Sequence, residues 1–318
     1  MIYNKSGPVV EAGIMSAVAI IFTIITIYVP IVGSFTGFAL PVPFMLAGIR
    51  HGVKWSCLAS VVAAMLGAVI LGPPTAPFVL SFGVIGIVMG YFIRAQKSAG
   101  VVVAGGAIAC LAAIAAIVSV AAVVMGVDLI QGYFSMLETS LSFAIGFYRS
   151  IGIDEAQLGQ MQQALTAIIA MVRMVFPAAL VVGSVFIAYV AFVIARLILK
   201  RTGCVVAALP PFKHWVFPPY ILYLFILGFI LGYVGKYQHF EMATIIGENL
   251  KLFGGAFAFV QGLAVFYFLA DKYNLSRLMR GIILLLIFTN LVYQYLVIFG
   301  GAFEIALDYR RLRTSRLP

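Results

Sequence analysis

Long apolar stretches, separated by short connections, constrain the fold of this chain more than any other feature. Most approach the length of about 20 residues that an α-helix needs to cross a bilayer. Hydrophobic residues make up 64% of the chain and charged residues 9%, whereas a soluble domain averages about 25% charged residues. The sequence therefore predicts an all-α, polytopic transmembrane bundle with eight or nine membrane segments.

The second apolar stretch is unusual because it is short and contains two prolines, Pro41 and Pro43, which lack backbone donors. A broken helix is tolerated within a membrane only where protein or a water-filled cavity surrounds its free carbonyl groups. Either these prolines border a substrate cavity, or they kink a short helix that fits a crowded bundle. The nine predicted segments are roughly 12–32, 36–49, 53–71, 76–93, 100–126, a part of 164–199, 217–235, 251–270 and 281–299.

Basic residues cluster in alternate connections between these segments, which is typical of loops that face the cytoplasm. The net charge of +10 therefore predicts a multi-pass protein of the inner (plasma) membrane with a cytoplasmic N-terminus, and no nucleic-acid partner. The arginine-rich tail at 309–316 leaves two alternatives open. Nine crossings would place the tail outside, whereas a short hairpin within 281–308, broken near Asn290, would keep it inside.

The connection 127–163 is the longest one, and it mixes apolar and polar residues at helical spacing. This pattern predicts one or two amphipathic helices on the outer surface, either as a plain interfacial element or as a substrate lid.

Four polar residues in or near the segments are candidate substrate contacts: Arg149, Arg173, Asn249 and Gln261. The two arginines could bind an anionic solute near the outer boundary, although Arg173 could equally snorkel to the headgroups. The two amides could contact solute, but hydrogen bonds between helices are the alternative.

Motifs of enzymes and metal sites are missing from the sequence. It contains no H-E-x-x-H, no G-x-S-x-G and no G-x-x-x-x-G-K-[ST], the patterns of zinc proteases, serine hydrolases and P-loop ATPases. We therefore expect a protein that is not an enzyme, holds no metal or cofactor and has no ATP-binding motor of its own.

The run PVPFMLAGIRHG, the later GPPTAPFVLSFGVIGIVMGYFIR and the closing FGGAFEIALDYRRLR resemble the YybS-like family of bacterial multi-pass membrane proteins. That family commonly ends with a glycine, an acid and Asp-x-Arg. Gly300 or Gly301, Glu304, Asp308 and Arg310 occupy these places, and the family usually has Asp at the position of Glu304. The resemblance covers nearly the whole chain, and it implies a membrane protein without naming its function.

The first six segments also resemble the substrate-binding S component of energy-coupling-factor importers. In S components, small residues four apart on the first helix dock on a coupling subunit, and here Ala12 with Ser16 and Gly13 with Ala17 match. The resemblance implies a six-helix domain at 1–200 with its outer loop at 127–163, followed by membrane helices and a basic tail at 201–318. It further implies capture of a small solute, with an ATPase and a coupling subunit supplied in trans. The alternative is a membrane scaffold that organises partner proteins without transport.

Overall fold

The computed structural model describes residues 7–201 and 206–312, and within these ranges it contains helices and no strand. Eight helical segments are long and apolar enough to cross a membrane, and a ninth candidate is a sharply bent pair of helices. The predicted all-α polytopic architecture is therefore confirmed. The helices are α1 (Gly7–Tyr28), α2 (Pro30–Ala39), α3 (Pro41–His51), α4 (Val53–Leu71), α5 (Thr75–Arg94), α6 (Ala99–Met125), α7 (Leu129–Ser150), α8 (Glu155–Arg201), α9 (Tyr220–Tyr237), α10 (Glu241–Lys272), α11 (Arg277–Thr289) and α12 (Leu291–Leu307).

The described residues form two compact units, drawn from Met1–Met136 with Gly183–Ala208 and from Leu137–Val182 with Leu209–Pro318. The division at residue 200 stays a prediction. Most of α7 and the first part of α8 group with the C-terminal helices rather than with the N-terminal ones.

Prolines set the helix boundaries at the start of the first unit. Pro30 and Pro41 each stand at the beginning of a helix, where the missing N–H costs nothing because a first-turn donor has no partner within the helix. Together α2 and α3 form one broken span of 22 residues, Pro30–His51. The break next to Pro41 was predicted, but the predicted bounds of 36–49 were too short, because the segment begins directly after α1.

Small residues let the helices of the first unit approach closely. A Cβ atom added to Gly86 of α5 would lie 2.4 Å from the carbonyl oxygen of Pro41, and one added to Gly90 would lie 2.9 Å from that of Met45. Between α1 and α4, the Ser16 hydroxyl donates to the Ala59 carbonyl at 2.9 Å. The core of this unit is therefore assembled from glycine, alanine and serine contacts, as is common for helix packing in membranes.

Helix α8 is much longer than a membrane crossing requires. Its 47 residues extend over about 70 Å at 1.5 Å per residue, against a hydrocarbon core of about 30 Å. The predicted outer connection at 127–163 is therefore two helices, α7 and the first turns of α8. The predicted sixth segment is only the second part of α8.

The second unit is built on α9 and α10, which also pack through glycines. A Cβ atom on Gly247 would lie 2.3 Å from the Gly232 backbone nitrogen, and one on Gly228 would lie 2.7 Å from that of Lys251. A short 3₁₀ helix, Phe212–His214, precedes α9. The Lys213 ammonium bonds Asp271 near the end of α10 at 2.8 Å, so the chain before α9 and the end of α10 lie together.

Helices α11 and α12 form a hairpin that starts and finishes at this same end of α10. They are bent by 103° at Asn290. Arg280 in the first turn of α11 bonds Asp271 at 2.6 Å, and Arg310, beyond α12, donates to the carbonyl groups of Lys213 and Trp215. Because both ends contact the same group of residues, the pair turns back toward its starting point, which favours the second of the two alternatives for the C-terminal tail. Residues 313–318 of that tail lie outside the described ranges.

Candidate functional site

Pro41 and Pro43 lie in the most densely buried part of the first unit. All eight residues from Pro41 to Gly48 are buried. Beyond the contacts with Gly86 and Gly90, the Phe44 carbonyl accepts a hydrogen bond of 2.6 Å from the Ser56 hydroxyl. This packing corresponds to the interpretation of a short helix in a crowded bundle, because protein atoms occupy the space next to these carbonyl groups.

A polar cleft of about 390 Å³ lies between α7 and the first half of α8. It has the size of a site for a small molecule, which is typically about 300–1,000 Å³. Its lining combines one carboxylate, one guanidinium, two hydroxyls and one amide with apolar residues: Glu138, Leu141, Ser142, Ile145, Gly146, Arg149, Gln162 and Thr166.

Both predicted substrate-binding arginines are connected to this cleft. Arg149 lines it and forms a two-point ion pair with Glu155 at 2.7 and 3.1 Å. Arg173 bonds the Oε1 atom of Glu138, which also lines the cleft, at 3.1 Å. All four side chains are at least half exposed, and exposed ion pairs contribute little to stability, about 0–1 kcal/mol each. A solute could therefore displace either partner at low cost.

The sequence reading missed the other polar members of the cleft. Glu138, Ser142 and Arg149 follow one another at spacings of four and seven residues, which places them on one face of a helix. This spacing could have predicted a polar face on α7. Gln162 and Thr166 are also four residues apart, but only the folding of α8 against α7 turns them toward that face.

Asn249 connects α10 to α8 next to Pro177. Its amide oxygen accepts from the Ala178 N–H at 2.9 Å, and its amide nitrogen donates to the Met174 carbonyl at 2.8 Å. These two backbone groups would bond each other in a regular helix. Pro177 lies inside this helix, and the Asn249 side chain bonds both groups directly beside it. A side chain that inserts between helical bonding partners is a known cause of kinks.

Gln261 is fully buried and holds the chain that precedes α9. Its oxygen accepts from the Phe217 N–H at 3.0 Å, and its nitrogen donates to the Trp215 carbonyl at 3.2 Å. Arg310 donates to the same carbonyl at 2.8 Å and forms an ion pair with Glu304 at 2.7 Å. Buried amides and charges are tolerated when they are paired in this way.

The predicted docking residues of α1 divide between two faces. Ala12 and Ser16 are buried against the rest of the first unit. Gly13 and Ala17 are exposed, and a Cβ atom on Gly13 would have nothing within 4 Å. One pair therefore packs inside the chain, and the other pair faces outward.

Metal-ligating side chains do not cluster in the parts of the chain that the structure describes. No group of three His, Cys, Asp or Glu residues there lies close enough to hold an ion. The polar cleft between α7 and α8 presents charged and hydrogen-bonding side chains to a small molecule.

Two comparisons with known proteins match nearly the whole chain. A family model described as "Predicted membrane protein (DUF2232)" matches residues 17–304. The uncharacterized protein YybS of Bacillus subtilis (strain 168) is 25% identical over 319 residues, which cover 96% of this chain and 98% of that protein. No solved structure matches the chain.

Proposed function

The chain belongs to the DUF2232 family of predicted membrane proteins, and from this premise we propose that it is a solute-binding subunit of a transport system. The observation that carries the proposal is the polar cleft between α7 and α8, with Glu138 and Arg149 in its lining. A small polar solute would bind there, and the long helix α8 would connect the bound solute to the membrane-spanning part.

The charges of the cleft favour a zwitterionic solute over an anion. Two carboxylates, Glu138 and Glu155, accompany the two guanidinium groups of Arg149 and Arg173, so the four charges cancel. A net anion would meet a carboxylate beside each arginine. A molecule that carries both a carboxylate and an ammonium group could instead replace one partner of Arg149 and one partner of Glu138 together.

The membrane orientation follows from the basic ends of the spans. With eight crossings and a returning α11–α12 hairpin, Arg50, Arg94, Lys200, Lys213 and Lys272 all fall on one side. The distribution of basic residues assigns this side to the cytoplasm. The cleft then opens outside, the N-terminus is cytoplasmic and the membrane is the plasma membrane. An ATPase and a coupling subunit would act in trans from the cytoplasmic side.

A binding experiment tests the proposal directly. The full-length protein in lipid nanodiscs is screened against a panel of small zwitterions by native mass spectrometry, together with the paired variant Glu138→Gln/Arg149→Gln. We expect at least one zwitterion to be retained by the unmodified protein and lost from the variant. Lys236→Gln, which removes an exposed cation paired with Glu248 on α9 and α10, is the matched control. The proposal fails if no solute is retained, or if the cleft variant binds as well as the control.

A scaffold function is the second candidate, and two observations favour it. The surroundings of Pro41 and Pro43 are filled with protein atoms, and Gly13 and Ala17 face outward on α1. Gentle solubilisation followed by native mass spectrometry separates the two functions. A stoichiometric partner protein that is lost with Gly13→Leu, together with no retained solute, would support the scaffold.

A further inference from the structure

The second unit carries an excess of positive charge where the α11–α12 hairpin opens. Six basic and three acidic residues lie in its sequence segments at this end of α10: Lys213, Lys272, Arg277, Arg280, Arg310, Arg311, Asp271, Glu304 and Asp308. The carboxylate of Asp271 is shared by Lys213 and Arg280, and Glu304 is bonded by Arg310. The acids are therefore too few to balance the bases.

Lys272 and Arg277 are the two exposed cations at this opening that form no ion pair with any described residue. They are separated only by the short turn that joins α10 to α11. The Lys272 ammonium lies 5.9 Å from the ring centres of both Tyr273 and Tyr309. Both tyrosines are largely exposed, at 66% and 62%, and tyrosine is enriched at the level of lipid headgroups.

An apolar surface adjoins these cations on α11. Leu278, Ile282 and Leu285 recur at spacings of four and three residues and are exposed. A helix of this kind, which enters a membrane without crossing it, presents its apolar face to the acyl chains. The opening thus combines positive charge and tyrosine hydroxyls with an adjacent apolar face.

From this arrangement we propose that Lys272 and Arg277, flanked by Tyr273 and Tyr309, bind the headgroup of an anionic phospholipid. Basic clusters directly next to a membrane helix recruit anionic lipids by charge. A free anion such as inorganic phosphate would use the cations but would gain nothing from the apolar face of α11. The inference is independent of the solute-binding cleft.

Lipid retention provides the test. The full-length protein is purified from nanodiscs that contain phosphatidylglycerol and phosphatidylcholine, and retained lipids are counted by native mass spectrometry. We expect at least one phosphatidylglycerol per chain to survive, and we expect the double variant Lys272→Gln/Arg277→Gln to lose it. The control Lys97→Gln/Lys200→Gln removes the same charge from two other exposed positions and is expected to retain the lipid.

Three results would overturn the proposal. One is equal loss of lipid from both double variants, which would mean that net charge alone recruits it. Another is equal retention of phosphatidylcholine, which would mean that the headgroup charge is not recognised. The third is displacement of the lipid by excess inorganic phosphate in the nanodisc sample, which would identify a site for free anions.

Discussion

At the scale of single residues, side-chain amides bond backbone groups from distant parts of the chain. Asn249 bonds the N–H of Ala178 and the C=O of Met174 next to Pro177, and Gln261 pairs with the N–H and C=O groups of a non-helical segment. Both residues were candidates for solute contact, with hydrogen bonding between helices as the alternative. Their observed partners are backbone groups of the same chain, which is the geometry of that alternative.

Substitution of Asn249 tests this interpretation, because its cost in stability should depend on whether Pro177 is present. Asn249→Leu leaves the Ala178 N–H and the Met174 C=O without their partner, and we expect the free energy of unfolding to fall by about 1–3 kcal/mol. In a Pro177→Ala background, these two groups can bond each other, so the same substitution should cost clearly less. Equilibrium unfolding in mixed micelles measures the free energy of unfolding of the unmodified protein, the two single variants and the double variant. Equal costs in both backgrounds would show that Asn249 acts elsewhere.

The buried pair Arg310–Glu304 gives a second prediction at this scale. Both side chains are less than 5% exposed, and the guanidinium also bonds two backbone carbonyls. Arg310→Gln strands a buried carboxylate, and we expect a loss of about 3–5 kcal/mol in unfolding free energy. Lys236→Gln removes an exposed partner of Glu248 and should cost no more than about 1 kcal/mol. Similar losses in the two variants would contradict the role of burial.

At the scale of helices, proline and glycine determine where elements begin and how closely they pack. Pro30 and Pro41 start helices, and the sequence correctly indicated a break beside Pro41. Gly86 and Gly90 are four residues apart, a spacing that favours close packing of membrane helices but does not name the partner helix. Their role follows only from the approach of α3, whose carbonyl oxygens take the place that a side chain would occupy.

Two matched glycine substitutions test this packing. Gly86→Ala places a methyl group 2.4 Å from the Pro41 carbonyl oxygen, so α3 and α5 must separate, and we expect a loss of about 1–3 kcal/mol. Gly13→Ala adds the same methyl group where nothing lies within 4 Å, and it should leave stability unchanged or slightly higher, since alanine favours helix. Thermal unfolding in detergent compares the two. If Gly86→Ala left the stability unchanged, the contact between α3 and α5 would be looser than 2.4 Å.

At the scale of the whole molecule, the number of crossings depends on the α11–α12 hairpin. A ninth crossing would place Tyr309 opposite Lys213, whereas the observed contacts of Arg310 place both at one end of α10. The hairpin also puts the basic residues that follow α12 beside Lys213 of the second unit. The charge pattern and the contacts therefore support the same count of eight.

Cysteine labelling measures this count. In a background without native cysteines, a membrane-impermeant maleimide should label Tyr309→Cys and Arg277→Cys from the same side, and His239→Cys, in the turn between α9 and α10, from the other side. This expectation rests on α10 crossing the membrane and on the hairpin returning to the side where it starts. Labelling of Tyr309→Cys together with His239→Cys would establish a ninth crossing.

The sequence by itself determined that most of this protein lies in lipid, where its helices approximately begin and end, and which family it belongs to. These are local properties, because the apolar content of a stretch of about 20 residues decides whether it partitions into lipid. Only the tertiary structure decided that the last two helices turn back, that the cleft between α7 and α8 gathers polar residues, and that Asn249 and Arg310 bond backbone groups. Those contacts join residues 71 and 97 positions apart, and no local pattern states which distant backbone group a buried polar side chain will satisfy.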